Sequence, residues 1–243
     1  MGLKNAIALV LDTYERKARL YPALLSFLPI GLSMTVQPAF SASTEKHLLS
    51  LVAACGVIYL LANIARMLGK AEEIRLYRDW GTAPTTQLLR HSDENIDPHT
   101  KKRYHDFLGR KLKLQLPSVE EESIDPIKAD EVYRAATKWL IEKCTDKKRF
   151  PMLLSENISY GFHRNSYGLR WIALIFCVAG ISWLLLMPEL SLSVQHLSTP
   201  KIATLAVELV ILVLWLSYFT NQRVKQAGIA YGERLFRGCD SLK

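Results

Sequence analysis

Glu208 lies within an otherwise apolar run over 202–219. A carboxylate at membrane depth costs a few kcal/mol to insert, which makes an intramembrane ionisable group a functional candidate. Thr204 precedes it by one turn on the same helical face. Repeated around a homo-oligomer, Glu208 would form an acidic ring near the outer mouth of a pore and favour cations. The same carboxylate would also serve as hydrogen-bonded glue between helices. Ser26, Ser33 and Gln37 form a second polar stripe at helical spacing, with Pro29 and Gly31 between them. Pro29 removes a backbone bond and is expected to kink or break its helix. Such a stripe suits the wall of a water-filled path, and equally suits close helix packing through small residues. Glu208, Thr204, Ser26, Ser33 and Gln37 are the pore candidates.

A second group of residues has phosphate-binding chemistry. Lys101, Lys102, Arg103, Arg110, Lys111 and Lys113 stand against the single Asp106, with Tyr104, His105 and Phe107 interleaved. Basic groups with aromatic neighbours hold phosphates and stack bases. A solvated helix face near an anionic leaflet has the same composition. The segment 69–168 as a whole has 18 Lys and Arg against 16 Asp and Glu, so it is not strongly basic. The polar loop from Trp80 to Thr86 offers hydroxyls and amides that would accept an anion, or would form a capped turn.

Catalytic patterns are missing. The sequence has no GxSxG, HExxH, Walker loop or GxGxxG. His99 and His105 do not share a helix face, and Asp93, Glu94 and Asp97 read as a hydrophilic turn. Cys55, Cys144, Cys177 and Cys239 include no CxxC pair, so reduced thiols and no zinc site are expected. The expectation is a non-enzyme without cofactor or metal.

The elements that must position these residues follow from charge segregation. Four nearly uncharged runs, 20–37, 48–67, 169–187 and 202–219, read as transmembrane helices in two hairpins. Of 31 Lys and Arg, only Lys46 and Lys201 fall in the two outer loops, so both termini and the central block are expected on the cytoplasmic side. Residues 3–18 show amphipathic spacing, expected as an interfacial helix, and Asp12, Glu15, Arg16, Lys17 and Arg19 argue against a signal peptide. The expected organisation is an interfacial helix at 1–19, a first hairpin at 20–68, a helical sensing domain at 69–168, a second hairpin at 169–220 and a tail at 221–243.

Within the central block, Asp97-Pro98 and Asp125-Pro126 each read as an N-cap followed by proline at the first helical position. They predict helices to about Leu112 and Cys144. The second is expected to turn Ile127, Val132, Ala135, Ala136, Trp139 and Leu140 inward. Residues 70–79 are expected to prolong the second span and 151–168 to lead into the third. Trp80-Gly81, Gly109 and Pro117 are expected breaks.

Paired spans around a central sensing domain, without a catalytic motif, resemble the membrane effectors of bacterial antiphage systems, most closely the channel effector of the Hailong system. The resemblance covers the whole chain as architecture. It implies a homo-oligomeric channel whose cytoplasmic domain binds a DNA oligomer made by a partner nucleotidyltransferase, with loss of the oligomer opening the channel. The reading from sequence is an all-α membrane protein with four transmembrane helices. It is expected to be a ligand-gated ion channel of a bacterial inner membrane, homo-oligomeric with a tetramer favoured. Short single-stranded DNA or a nucleotide is the expected ligand. The alternative is a non-conducting anchor or scaffold that recruits a cytoplasmic partner.

Overall fold

The computed structural model describes residues 12–36, 44–186 and 199–242, with the side chains of 44–55 and 58 outside the described set. Gln37 and the greater part of the expected interfacial helix therefore lie outside the described residues. All regular structure among the described residues is helical.

Asp12 starts the described chain as an N-cap, its carboxylate accepting from the amides of Tyr14 and Glu15 at 2.8 and 3.1 Å. The turn Thr13–Glu15 passes into a π-helix over Arg16–Leu20 and then into α1, Tyr21–Thr35. No break separates 19 from 20, where an interfacial helix was expected to end. Pro29 does not break α1 either. The Ser33 hydroxyl donates back to the Pro29 carbonyl one turn earlier, at 3.2 Å.

Two long helices dominate. These are α2, Thr44–Asp79, and α7, Pro151–Leu186, of 36 residues each. Both expected continuations, at 70–79 and 151–168, are therefore present. The remaining helices are α3 (Pro84–Gln87), α4 (Pro98–Leu112), α5 (Val119–Ile124), α6 (Pro126–Lys143), α8 (Thr199–Ser217), α9 (Asn221–Phe236) and α10 (Gly238–Ser241). The chain forms two compact units, 1–72 with 161–223 and 73–160 with 224–243, and the division falls inside α2, α7 and α9.

In the first unit, α2 and α7 meet at glycines. A Cβ on Gly168 would lie 2.5 Å from the Gly69 nitrogen and 2.7 Å from the Leu68 carbonyl carbon. Both are backbone atoms, so only glycine permits this approach, and small residues at a helix crossing are how apolar helices gain dispersion contact. Asn165, fully buried, fixes the N-terminal segment by donating to the Ala18 carbonyl at 2.7 Å. Ala65, Leu169, Ala173, Trp215 and Phe219 fill the core around them.

The second unit owes its helices to local capping. Asp97 and Asp125 accept from the amides of Thr100 and Lys128 at 2.9 and 3.0 Å, and α4 and α6 end close to their expected limits. Gly109 was expected to be a break and instead sits inside α4, which closes four residues later with Lys113 in the left-handed region at φ 52°. The inward face of α6 also differs from expectation. Ala129, Tyr133, Ala136 and Leu140 are buried, whereas Ile127 is 75% exposed. The core takes in Leu88, Tyr104, Phe107 and Tyr133 together with Phe236 and Cys239. Residues 224–242, expected to be a tail, are thus part of a hydrophobic core.

Candidate functional site

Among the described residues, two helices are long and apolar enough to cross a membrane, α7 and α8. Only 28% and 11% of their apolar windows are buried inside the chain, which leaves most of that surface outward. Val207, Val210, Val213 and Leu216 on α8 and Ile175 and Val178 on α7 are all exposed. A core helix of a water-soluble protein hides such residues. The other two expected spans stand differently. Helix α1 has 15 residues, ~22 Å at helical rise, against a bilayer core of about 30 Å. The apolar part of α2 includes side chains outside the described set.

Glu208 is the exception on α8. It is fully buried, and one carboxylate oxygen accepts from the Ser33 hydroxyl of α1. Its other oxygen is buried without a hydrogen-bond partner. Gly180 of α7 provides the room. A Cβ there would lie 3.0 Å from both carboxylate oxygens and 2.9 Å from the Ser33 oxygen. Three helices of one chain therefore enclose the pair. Ser26 is buried and donates to the Ala23 carbonyl at 2.8 Å, while half-buried Thr204 donates to the Pro200 carbonyl at 3.0 Å. Of the described pore candidates, only Glu208 and Ser33 touch, and neither faces outward.

The six basic candidates on α4 and its cap do not form one surface. Lys101 is buried, and its ammonium donates to the Arg90 carbonyl at 2.6 Å and to the Asp93 carbonyl. Burial pushes its pKa down, with Asp93 and Glu122 opposing. Lys102 pairs with Asp106 at 3.6 Å and Arg103 with Asp240 at 3.3 Å. Arg110 donates to the Asp106 carbonyl at 3.2 Å, Lys111 lies over the Phe107 ring, and Lys113 caps the helix. A cavity of about 890 Å³ adjoins Lys101 and Lys102, but Asp93, Glu94 and Asp106 line it too. Three carboxylates against two ammonium groups do not favour an anion.

Beneath α4 lies a buried polar network that sequence reasoning missed. Glu122 sits in α5, whose start Ser118 and Glu121 close as a capping box. Its carboxylate accepts from the His91 amide at 2.8 Å, the Ser92 amide and hydroxyl at 3.2 and 3.1 Å, and the Tyr133 hydroxyl at 2.8 Å. Burial raises its pKa, and these donors more than offset that and hold it below the usual range. His105 places Nε2 2.8 Å from the Leu89 carbonyl, so that nitrogen carries the proton. Burial lowers its pKa to about 4. The only prior signal was Ser118-x-x-Glu121, which marks the helix start and not the buried carboxylate.

These features define, among the described residues, an all-helical arrangement in which the outward apolar surface of α7 and α8 lies in the first unit and a buried polar network lies in the second. In comparisons with known proteins, no family model, no curated protein and no solved structure matches the chain.

Proposed function

We propose that this chain is one subunit of a homo-oligomeric, ligand-gated ion channel of a bacterial inner membrane. Each subunit crosses the bilayer four times with both termini in the cytoplasm. The outward apolar surface of α7 and α8 carries this reading, because lipid or neighbouring subunits must cover it. The half-satisfied Glu208 supports it, since an ionisable group at membrane depth with one oxygen unpartnered is a functional candidate. The second unit is the sensing domain, and α2 and α7, which belong to both units, pass its movement to the spans. As in the Hailong-type effectors the sequence resembles, the ligand is a DNA oligomer or nucleotide made by a partner nucleotidyltransferase. The outcome is antiphage defence through depolarisation.

One observation favours a second reading. Ser33 and Gly180 enclose Glu208 within one chain, as expected of helix glue in a non-conducting anchor or scaffold. Ion flux from liposomes holding the purified protein, with and without short single-stranded DNA, separates the two. Flux that the DNA suppresses is expected. Glu208→Gln is expected to alter the selectivity or size of that flux. No flux from folded, oriented protein under either condition would leave the anchor as the better account.

A further inference from the structure

A second cavity, of about 550 Å³, opens entirely within the second unit beside the Trp80 loop. Its size is in the range of small-molecule sites. Arg78 at the end of α2, with Arg134 and Lys138 one turn apart on α6, contributes three cations to its wall. The one carboxylate on that wall, Asp130, is already held by Arg90, with both oxygens engaged at 2.7 and 2.6 Å. The cavity therefore has an excess of positive charge, unlike the larger one beside Lys101.

Its hydroxyls add a second observation. Thr82, Thr85 and Thr137 line the same space. Thr137 is only 5% exposed, and its hydroxyl oxygen is buried without any partner. A helical threonine ordinarily donates back to the carbonyl one turn earlier. A buried hydroxyl left unsatisfied costs about 1–3 kcal/mol, which a bound acceptor would remove. Ile127 and Ile141 stand exposed on the cavity wall and give an apolar flank beside the charges.

We infer that this cavity binds a compact ligand carrying a phosphoryl group, held by Arg78, Arg134 and Lys138, with Thr137 donating to it and an apolar portion against Ile127 and Ile141. The inference deepens the gated-channel reading and rests on it for its consequence, whereas the binding step is measured without any flux. It moves the ligand from the α4 cluster to the face of α6.

Full-length protein in detergent is titrated calorimetrically with inorganic phosphate, pyrophosphate and adenosine diphosphate, and its retention on beads coated with phosphatidic acid is compared with that on beads coated with phosphatidylcholine. Saturable binding of one or more of these is expected. Soluble probes that bind identify a free ligand, and retention by phosphatidic acid alone identifies a lipid headgroup. Arg134→Gln with Lys138→Gln, both exposed positions, should weaken that binding by about tenfold or more per charge removed. Thr137→Val should weaken it by a smaller factor, Lys128→Gln on the same helix should leave it unchanged, and circular dichroism should show the helices retained. If no probe saturates, or the double variant binds as the parent does, the inference is overturned. Binding without any effect on liposome flux would sink the gating reading and leave the site standing. Flux without binding would do the reverse.

Discussion

Glu122 and His105 are both buried, yet each is held in a different ionisation state. Glu122 stays ionised because four donor contacts replace the water it lost. His105 has a single polar contact, so burial wins and the ring stays neutral. His91 lies edge-on at 4.9 Å and Tyr133 at 5.6 Å, completing its surroundings with Lys101 and Glu122. This has a consequence for stability. The unfolded imidazole takes a proton near pH 6.5, and the folded one near 4. Between those values the unfolded chain binds more protons, so stability is full above about pH 6.5 and falls as pH drops toward 4. The loss is at most about 3 kcal/mol. The Glu122 pKa is lowered too, so its effect has the same direction but acts lower, its contribution fading as pH falls below 4.5 and through the depressed folded value. His105→Gln keeps a donor for Leu89 and removes the titration. Its thermal midpoint should then depend less on pH between 6.5 and 5 than the parent's, and an equal slope would assign that dependence to another group.

Among the elements, α2 and α7 depend most on a single residue type. Their crossing brings backbone to backbone at Gly69 and Gly168, and neither side can yield as a flexible side chain would. Gly168→Ala should therefore lower the unfolding free energy by about 2 kcal/mol or more, read as a lower thermal midpoint in detergent. Gly56, in the same helix α2, has nothing within 4 Å of its would-be Cβ. Gly56→Ala is expected to be neutral or slightly stabilising, because alanine is the better helix former. Equal losses from the two substitutions would mean that close approach is not what Gly168 provides. On α6, the apolar residues alone suggested a stripe through Ile127. The true inner face instead follows Tyr133, whose hydroxyl has a buried carboxylate to meet. Polar atoms that find partners changed the register of the face, and periodicity of apolar residues does not report them.

For the whole molecule, the arrangement across the bilayer is the matter to measure. Single cysteines at Glu45, Thr145 and Lys201, in a background lacking the native thiols, test it with a membrane-impermeant maleimide. Four spans with cytoplasmic termini put Glu45 and Lys201 on the outer face and Thr145 inside. Glu45→Cys and Lys201→Cys should label in intact cells, and Thr145→Cys only after permeabilisation. Labelling of Lys201→Cys alone in intact cells would reduce the count to the α7–α8 hairpin. The second unit does not end where the central charged block does. Residues 224–242 return to its core through Leu235, Phe236 and Cys239, so truncation after 220 would open that core and not simply remove a tail.

The sequence by itself determined the elements whose causes are local. Asp-Pro pairs placed the starts of α4 and α6, because a cap and a fixed φ act on adjacent residues. Long apolar runs against charged ones determined the continuous helices α2 and α7 and marked α7 and α8 as able to cross a membrane. Tertiary structure alone decided what needed partners distant in the chain. It joined Glu208 to Ser33, took Lys101 out of the basic cluster and into the interior, buried Glu122, and brought Arg78 to Arg134 and Lys138. Charge and hydroxyl groups are counted in a sequence one residue at a time, whereas their meaning depends on which carboxylate, carbonyl or cavity the fold sets beside them.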